Sequence, residues 1–575
     1  MTSEIQPAAP FRSLSDGYDE KKSDVVDVEP VVTEVDDLER NGKTHSHYIY
    51  ENVPEGIDPR LIREERVVRG LSERHIQMIA LAGAIGTGLF LGSGKSIRRA
   101  GPAGTLIGYS AVGVLVMSVT MCLAELSALA PVSGAFVRQS EFFVDRALSF
   151  AIGWSTWYGS AVSLPSEWTA VAVIMTYWTD LNAGIWIAVC IVVTFATNIF
   201  FVRVFGEVEL ACAMLKVALI VGLVLFGLIY DLGGIHGQER LGFHYWRDPG
   251  AFGQGYQYIG TASGRFCGFW LTLINAVYAF SGVETLAIAA AETKNPRRNI
   301  PRAAKNVFIR VFGLYMVTLF VVGLVVPSND PHLLTSTGTA ASSPFVIAAQ
   351  RAGVKVWPSI INAVVITSAW SSGNHAMLTG SRTLYSLSLE GMAPKTFAKI
   401  SRYGVPWTAI LFTGSFQLLA FMSLSKGAET AFNWLTNINS SVTLTIWIVI
   451  GLCSIRVRSA MKVQGIVPSR LPWAAPLMPY LAHITVWGSL LVLITGGFYS
   501  FLPGNWSVAD FFSSYFSIMF FVVLYFGYKI YGKTKIVPLS EVPVGQWIAL
   551  ADANPEPEPT PKKGWKGWFA RIWWD

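Results

Sequence analysis

"LAGAIGTGLFLGSG", residues 81–94, places five glycines inside a long apolar run. Each glycine weakens a helix by roughly 1 kcal/mol, so a run suited to an oily setting is loosened near its middle. Three uses compete. A phosphate-binding loop does not fit its surroundings: Gly86-Thr87-Gly88 completes no G-x-G-x-x-G, follows no strand and precedes no Gly-Lys-Ser/Thr. Close packing fits Gly88-x-x-x-Gly92, a spacing that lets two helices approach. A break in the helix fits as well, because unwound backbone survives at membrane depth where it lines a cavity.

The rest of the chain places that run in a membrane. Of 575 residues, 52% are hydrophobic, 13% aromatic and only 14% charged, and the mean hydropathy is +0.43. Soluble domains carry about 25% charged residues. The composition is that of an all-α integral membrane protein crossing the bilayer many times. A net charge of +6 without a compact basic-aromatic patch gives no ground for nucleic-acid binding. Four of the five cysteines, Cys122, Cys190, Cys212 and Cys453, lie well inside apolar runs and Cys267 does not. They are expected to pack, and neither a disulfide framework nor a metal site is expected. No cofactor is implied.

Spans of about 20 apolar residues fall near 76–97, 104–130, 147–178, 183–202, 207–231, 268–291, 305–327, 357–388, 406–424, 429–455, 478–501 and 510–531, twelve in all. Placing the N-terminus inside puts fifteen Lys and Arg on inner loops against nine on outer ones, which favours cytosolic N- and C-termini. Residues 1–70 read as a disordered cytosolic tail, 71–535 as the membrane domain and 536–575 as a cytosolic tail ending in a Trp- and Lys-rich stretch. That terminus is read either as an interface anchor facing anionic lipid or as a flexible tail. The outer loop at 328–356 is expected to form a short surface helix.

A second interruption decides between packing and a break. "NAVYAFSGVETLAIAAAETKN", residues 275–295, again sets Gly and polar groups, Ser281-Gly282-Val283-Glu284-Thr285, into an apolar span. The two interruptions fall in the first and sixth spans. Paired breaks at corresponding places in two halves point to a midplane site in an inverted-repeat transporter. Spans 1–5 and 6–10 would be the repeats, with two C-terminal helices appended. Gly86 and Gly88 are expected to mark the opening, and Gly83 and Gly92 to serve close packing.

Here the chain resembles a known family. "RGLSERHIQMIALAGAIGTGLFLGSG" with "GPAGTLIGY", then "PVSGAFVRQSEFFVD", "FGEVELACAMLKV", "AETKNPRRNIPRA" and "SRTLYSLSLEGMAPKTFAKISRYGVPW", look like the fungal amino acid permeases of the amino acid–polyamine–organocation superfamily. The likeness covers roughly residues 68–535. "DLGG" with "RLGFHYWRDPGAF", and "INAVVITSAWSSGN", look most like the dicarboxylic amino acid branch.

The resemblance implies import of amino acids across the plasma membrane by proton symport, with the substrate at the unwound centres of helices 1 and 6. The carboxylate would take N–H donors at Ile85, Gly86, Thr87 and Gly88, as a helix N-terminus favours. The ammonium would take carbonyls freed near Ala279, Phe280, Ser281 and Gly282, with Phe280 as a gate or as ordinary packing. Glu167 in "LPSEWTAVAV" is expected to bear on substrate binding, and Trp434 or Phe432 in "FNWLTNINSS" to close the pocket. Ionisable groups inside a membrane are functional candidates by default. Lys216 would stand where sodium-coupled relatives hold the ion and would couple protons. Glu284 would relay protons or hold the broken helix together. Glu125 near the inner end of span 2 reads as a cap or a functional acid, and His375 as a coupling residue or a tolerated polar contact. Val283 replaces the family's usual Thr. Trafficking and ubiquitination machinery are further expected partners, through tail lysines such as Lys21 and Lys22. A non-transporting sensor on the same fold is the alternative. An enzyme is not expected, since no Ser/His/Asp set, H-E-x-x-H or paired catalytic carboxylates stand in suitable context.

Overall fold

Apolar runs of this length satisfy their backbone inside a bilayer by becoming helices, and every regular element among the described residues is helical. The computed structural model describes residues 52–62, 86–132, 134–200, 205–256, 260–290, 295–334, 343–401 and 405–556. Ile85, the first half of the first expected span, Lys21, Lys22 and the Trp-rich terminus lie outside these residues.

A π-helical turn, Gly88–Gly92, leads into α1 (Ser93–Leu129). There follow α2 (Phe136–Phe143), α3 (Arg146–Met175), α4 (Ala183–Phe200), α5 (Phe205–Asp231), α6 (Ala262–Phe280), α7 (Thr285–Ala290) and α8 (Pro296–Val325). The second half holds α9 (Pro344–Arg351), α10 (Trp357–Leu389), α11 (Trp407–Ser415), α12 (Ala428–Val463), α13 (Tyr480–Thr495), α14 (Val508–Gly532) and α15 (Val544–Ala553).

Against the twelve expected spans, eight helical segments among the described residues are long and apolar enough to cross a membrane. One of them, Gly88–Leu129, has 42 residues. At 1.5 Å per residue it would reach about 63 Å, twice a hydrocarbon core of roughly 30 Å. Gly101 divides it, with φ +76° immediately before Pro102. The loop between α5 and α6 sits on that kink, where Ala103 N–H donates to the Ala251 carbonyl at 2.9 Å. Two helices that fall outside the eight, α3 and α10, are 30 and 33 residues long. Both carry stripes of Ser, Thr and Gly that lower their hydropathy.

The glycine expectations need correction. A Cβ on Gly92 would meet nothing within 4 Å, whereas one on Gly88 would stand 2.8 Å from Ala279 Cα and 2.9 Å from Tyr278 Cδ1. Gly88, rather than Gly92, is therefore the close-packing residue, because α6 crosses the chain there. The helix expected at 328–356 exists as α9, but it is no surface helix. Phe345, Val346 and Ile347 are buried, Phe345 meets Phe90 edge-on at 5.9 Å, and Ser343 Oγ donates to the Phe90 carbonyl at 3.1 Å.

Residues 52–62 and 536–556, read from sequence as parts of the two tails, pack on one end of the helix bundle. Asp58 N–H donates to Gln546 Oε1 at 3.2 Å, and Trp547 is fully buried against Phe142. Gln464 Nε2 donates to the carbonyls of Leu539 and Val542. Both segments are short, so what they bury is covered by partners distant in the chain. At the same end Glu125 is gripped by Arg458, whose Nε donates at 2.8 Å, and by the Ala475 N–H at 2.7 Å. Its place is that of a buried ion pair binding α1 to α12.

Candidate functional site

The second interruption is built as the sequence suggested. Helix α6 ends at Phe280, Ser281 turns to extended backbone (φ −61°, ψ 147°), and Gly282 takes φ +96°. That angle lies in the left-handed region, where a Cβ is disfavoured. Glu284 closes the turn from within. Its Oε1 accepts from Gly282 N–H and its Oε2 from Trp447 Nε1 of α12, each at 3.3 Å. At the first interruption Gly86 is a bend, and Thr87 begins the helix with no side-chain cap.

The two interruptions meet at Tyr278. Its hydroxyl lies 3.5 Å from Thr87 Oγ1 and 3.3 Å from Ser166 Oγ. Below them is a cavity of about 100 Å³. Its walls are Gly86 and Gly88; Thr156, Ser160, Ser163 and Glu167 of α3; Tyr278, Ser281, Gly282, Glu284 and Thr285; Ser372, His375 and Thr379 of α10; and Asn439, Thr443 and Ile446 of α12. Each long helix contributes one stripe. Positions 156, 160, 163 and 167 share a face, as do 372, 375, 376 and 379, and 439, 442, 443 and 446.

Six expected residues thus come together around one cavity: Gly86, Gly88, Glu167, Ser281, Gly282 and Glu284. Thr87 is buried beside them. Others lie elsewhere. Phe280, two residues after Tyr278, is turned by about 200° around α6 and does not line the cavity. It packs with Tyr315 at 4.9 Å and Tyr109 at 6.2 Å. The Ala279 carbonyl accepts from Tyr315 OH at 2.9 Å, so that group already has a partner. Trp434 also misses the cavity, since its Nε1 donates to Asp510 of α14 at 2.7 Å. Phe432, the other candidate, rests edge-on against Tyr278 at 6.0 Å.

Charge gathers behind the cavity wall. Lys216 is buried on α5 and interacts electrostatically with Glu209 and Glu167. Glu209 accepts from Ser371 Oγ of α10 at 2.9 Å. Sequence reasoning missed Glu209 and Tyr278. A signal for Glu209 existed, because it stands seven residues before Lys216, two turns along the same face. Glu167 Oε2 and both ring nitrogens of His375 are buried and find no hydrogen-bond partner among the described residues. Glu167 and His375 are both among the residues that line the cavity.

A bundle of membrane-crossing helices with a polar, part-charged cavity at a broken helix is the architecture of a multi-pass permease. The sequence pattern of the family described as "Amino acid permease" matches residues 75–540. The chain is 38% identical to the lysine-specific permease of Saccharomyces cerevisiae over 88% of its length and 83% of that protein's. It is 37% identical to the proline-specific permease of Emericella nidulans over 93% and 98% of the two chains, and 36% identical to the dicarboxylic amino acid permease of Saccharomyces cerevisiae over 88% and 83%. The chain belongs to the amino acid permease family, whose fungal members it matches along most of its length. Relatives named for lysine, proline and dicarboxylic amino acids are almost equally similar, so overall identity does not single out the dicarboxylic branch.

Proposed function

We propose that this protein imports amino acids across the plasma membrane by proton symport and alternating access. The observation that carries the reading is the single cavity at which Gly86, Gly88, Ser281 and Gly282 converge. The uncapped helix start at Thr87 offers N–H donors to the substrate carboxylate. The turn at Ser281 offers its carbonyl to the ammonium, the Gly282 carbonyl being taken by the Thr285 N–H at 3.1 Å and hydroxyl at 2.6 Å, and Glu167 supplies a negative partner. Helices would be twelve in two inverted repeats of five with two appended, and both termini cytosolic.

Coupling is assigned to Lys216 with Glu209 and Glu167, a buried set in which one proton changes the charge facing the cavity. Glu284 holds the second break, since both its oxygens accept hydrogen bonds that tie the turn to α12. Radiolabelled amino acid uptake in permease-deficient cells, with and without a proton uncoupler, tests the reading. Uptake that collapses with the uncoupler is expected. Binding without any uptake would replace the transporter by a sensor, and uptake indifferent to the uncoupler would remove the coupling alone.

A further inference from the structure

At the end of the bundle where the terminal segments pack lies a second and larger cavity, of about 970 Å³. Five cations line it: Arg297, Arg298, Arg302 and Lys305 from the first turns of α8, and Arg470 after α12. Among the described residues that line it, two are acids, and both are engaged. Asp552 pairs with Arg470 at 2.9 Å. The Glu556 carboxylate accepts the backbone N–H groups of Arg297 and Arg298 at 2.8 and 3.1 Å, occupying the positive end of α8 as an anion would. The described lining residues thus hold five cations and two acids.

The opposite wall is apolar, formed by Met117, Met121, Phe308, Ile309, Leu477 and Leu481. It continues onto the outer surface, where Ile309 is 55%, Leu477 69% and neighbouring Tyr480 72% exposed. An exposed apolar surface of this kind suits contact with lipid. A soluble anion would use the cations and leave the apolar wall uncovered; a neutral lipid would use the wall and leave the charge unmatched.

We propose that this cavity is a binding site for an anionic phospholipid of the inner leaflet. Its phosphate headgroup lies against the guanidinium and ammonium groups of α8, and an acyl chain lies along Met121, Phe308 and Ile309. Basic pockets between membrane helices on the cytoplasmic side suit such headgroups. The site rests on the inward orientation of this end proposed above. It is separate from the central cavity and shares no lining residue with it.

Native mass spectrometry of the purified full-length protein tests it, with phosphatidylserine, phosphatidylcholine and inorganic phosphate as probes. Phosphatidylserine is expected to bind on the order of tenfold tighter than phosphatidylcholine, and Arg302→Gln with Lys305→Gln to remove that preference. Ile309→Ser should weaken both lipids alike. Equal retention of the two lipids by the wild-type protein would overturn the proposal, a result that does not depend on whether the double variant folds. Wild-type affinity of the folded double variant for phosphatidylserine would overturn it too, as would displacement of that lipid by equimolar phosphate, which would leave a soluble-anion site. Amino acid uptake is a separate readout: lost lipid selectivity would leave the transport reading standing, and absent uptake would leave the lipid site standing.

Discussion

Two glycines two residues apart do different work. A Cβ at Gly88 would meet backbone of α6 at 2.8 Å, and backbone does not step aside. Gly88→Ala is expected to cost about 1–3 kcal/mol through overpacking and to lower the melting temperature together with uptake. Gly86 faces the cavity, where a Cβ would stand 3.3 Å from Glu167 Oε1 and 3.4 Å from Ser372 Oγ. Gly86→Leu is expected to abolish uptake while the protein still inserts and elutes as a single species; normal uptake would refute this placement of the substrate. At the second break, Glu284→Gln keeps an acceptor for Gly282 or Trp447 and should retain proton-dependent uptake. Glu284→Ala leaves the buried Trp447 N–H without its partner, at a cost of about 1–3 kcal/mol. A Gln variant that transports without any proton dependence would instead make Glu284 part of the coupling.

Among the elements, α3, α10 and α12 show how a span hides its own purpose. Their polar stripes build the cavity, and the stripes of α3 and α10 also lower the hydropathy by which spans are recognised. Lys216 was legible as an intramembrane charge; that Glu167 faces it was not, because that acid comes from another helix, α3. Lys216→Met is expected to cut uptake on the order of tenfold or more and to flatten its dependence on external pH. A variant with the wild-type pH profile would exclude Lys216 from coupling. Between α1 and α12 the expectation is structural. Glu125→Ala strands Arg458 at a side-chain exposure of 12%, and breaking a buried pair costs about 3–5 kcal/mol. Poor expression and a lowered melting temperature should follow, and replacing both partners by apolar residues should recover much of the loss.

For the whole molecule, the two terminal segments act as one fastening on the same end of the bundle. Asn52 and Asn554 exchange hydrogen bonds, α15 covers Phe142, and Arg456 reaches both the Phe143 and Val537 carbonyls. Truncation after residue 535 exposes the site of Trp547 and removes the acceptors of Gln464. A lower melting temperature is expected, with substrate affinity in the surviving protein unchanged, since no described residue after Ile446 lines the central cavity. Reduced affinity at an unchanged melting temperature would contradict that division. Chain distance hid this fastening: segments 52–62 and 536–556 are short, and the groups they pack on, such as Phe142 beneath Trp547, lie hundreds of positions away.

By itself the sequence determined the membrane setting, the helical character and the places where the helices loosen, because hydropathy and glycine act over a few neighbouring residues. It also determined the family, through long local motifs. Only the tertiary structure decided that Gly88 packs on α6 as well as lining the cavity with Gly86, that Tyr278 joins the two breaks, that Phe280 and Trp434 turn away, and that Glu209 joins Lys216 and Glu167. Those outcomes depend on which face of one helix meets which face of another, and that choice is made by contacts between residues distant in the chain.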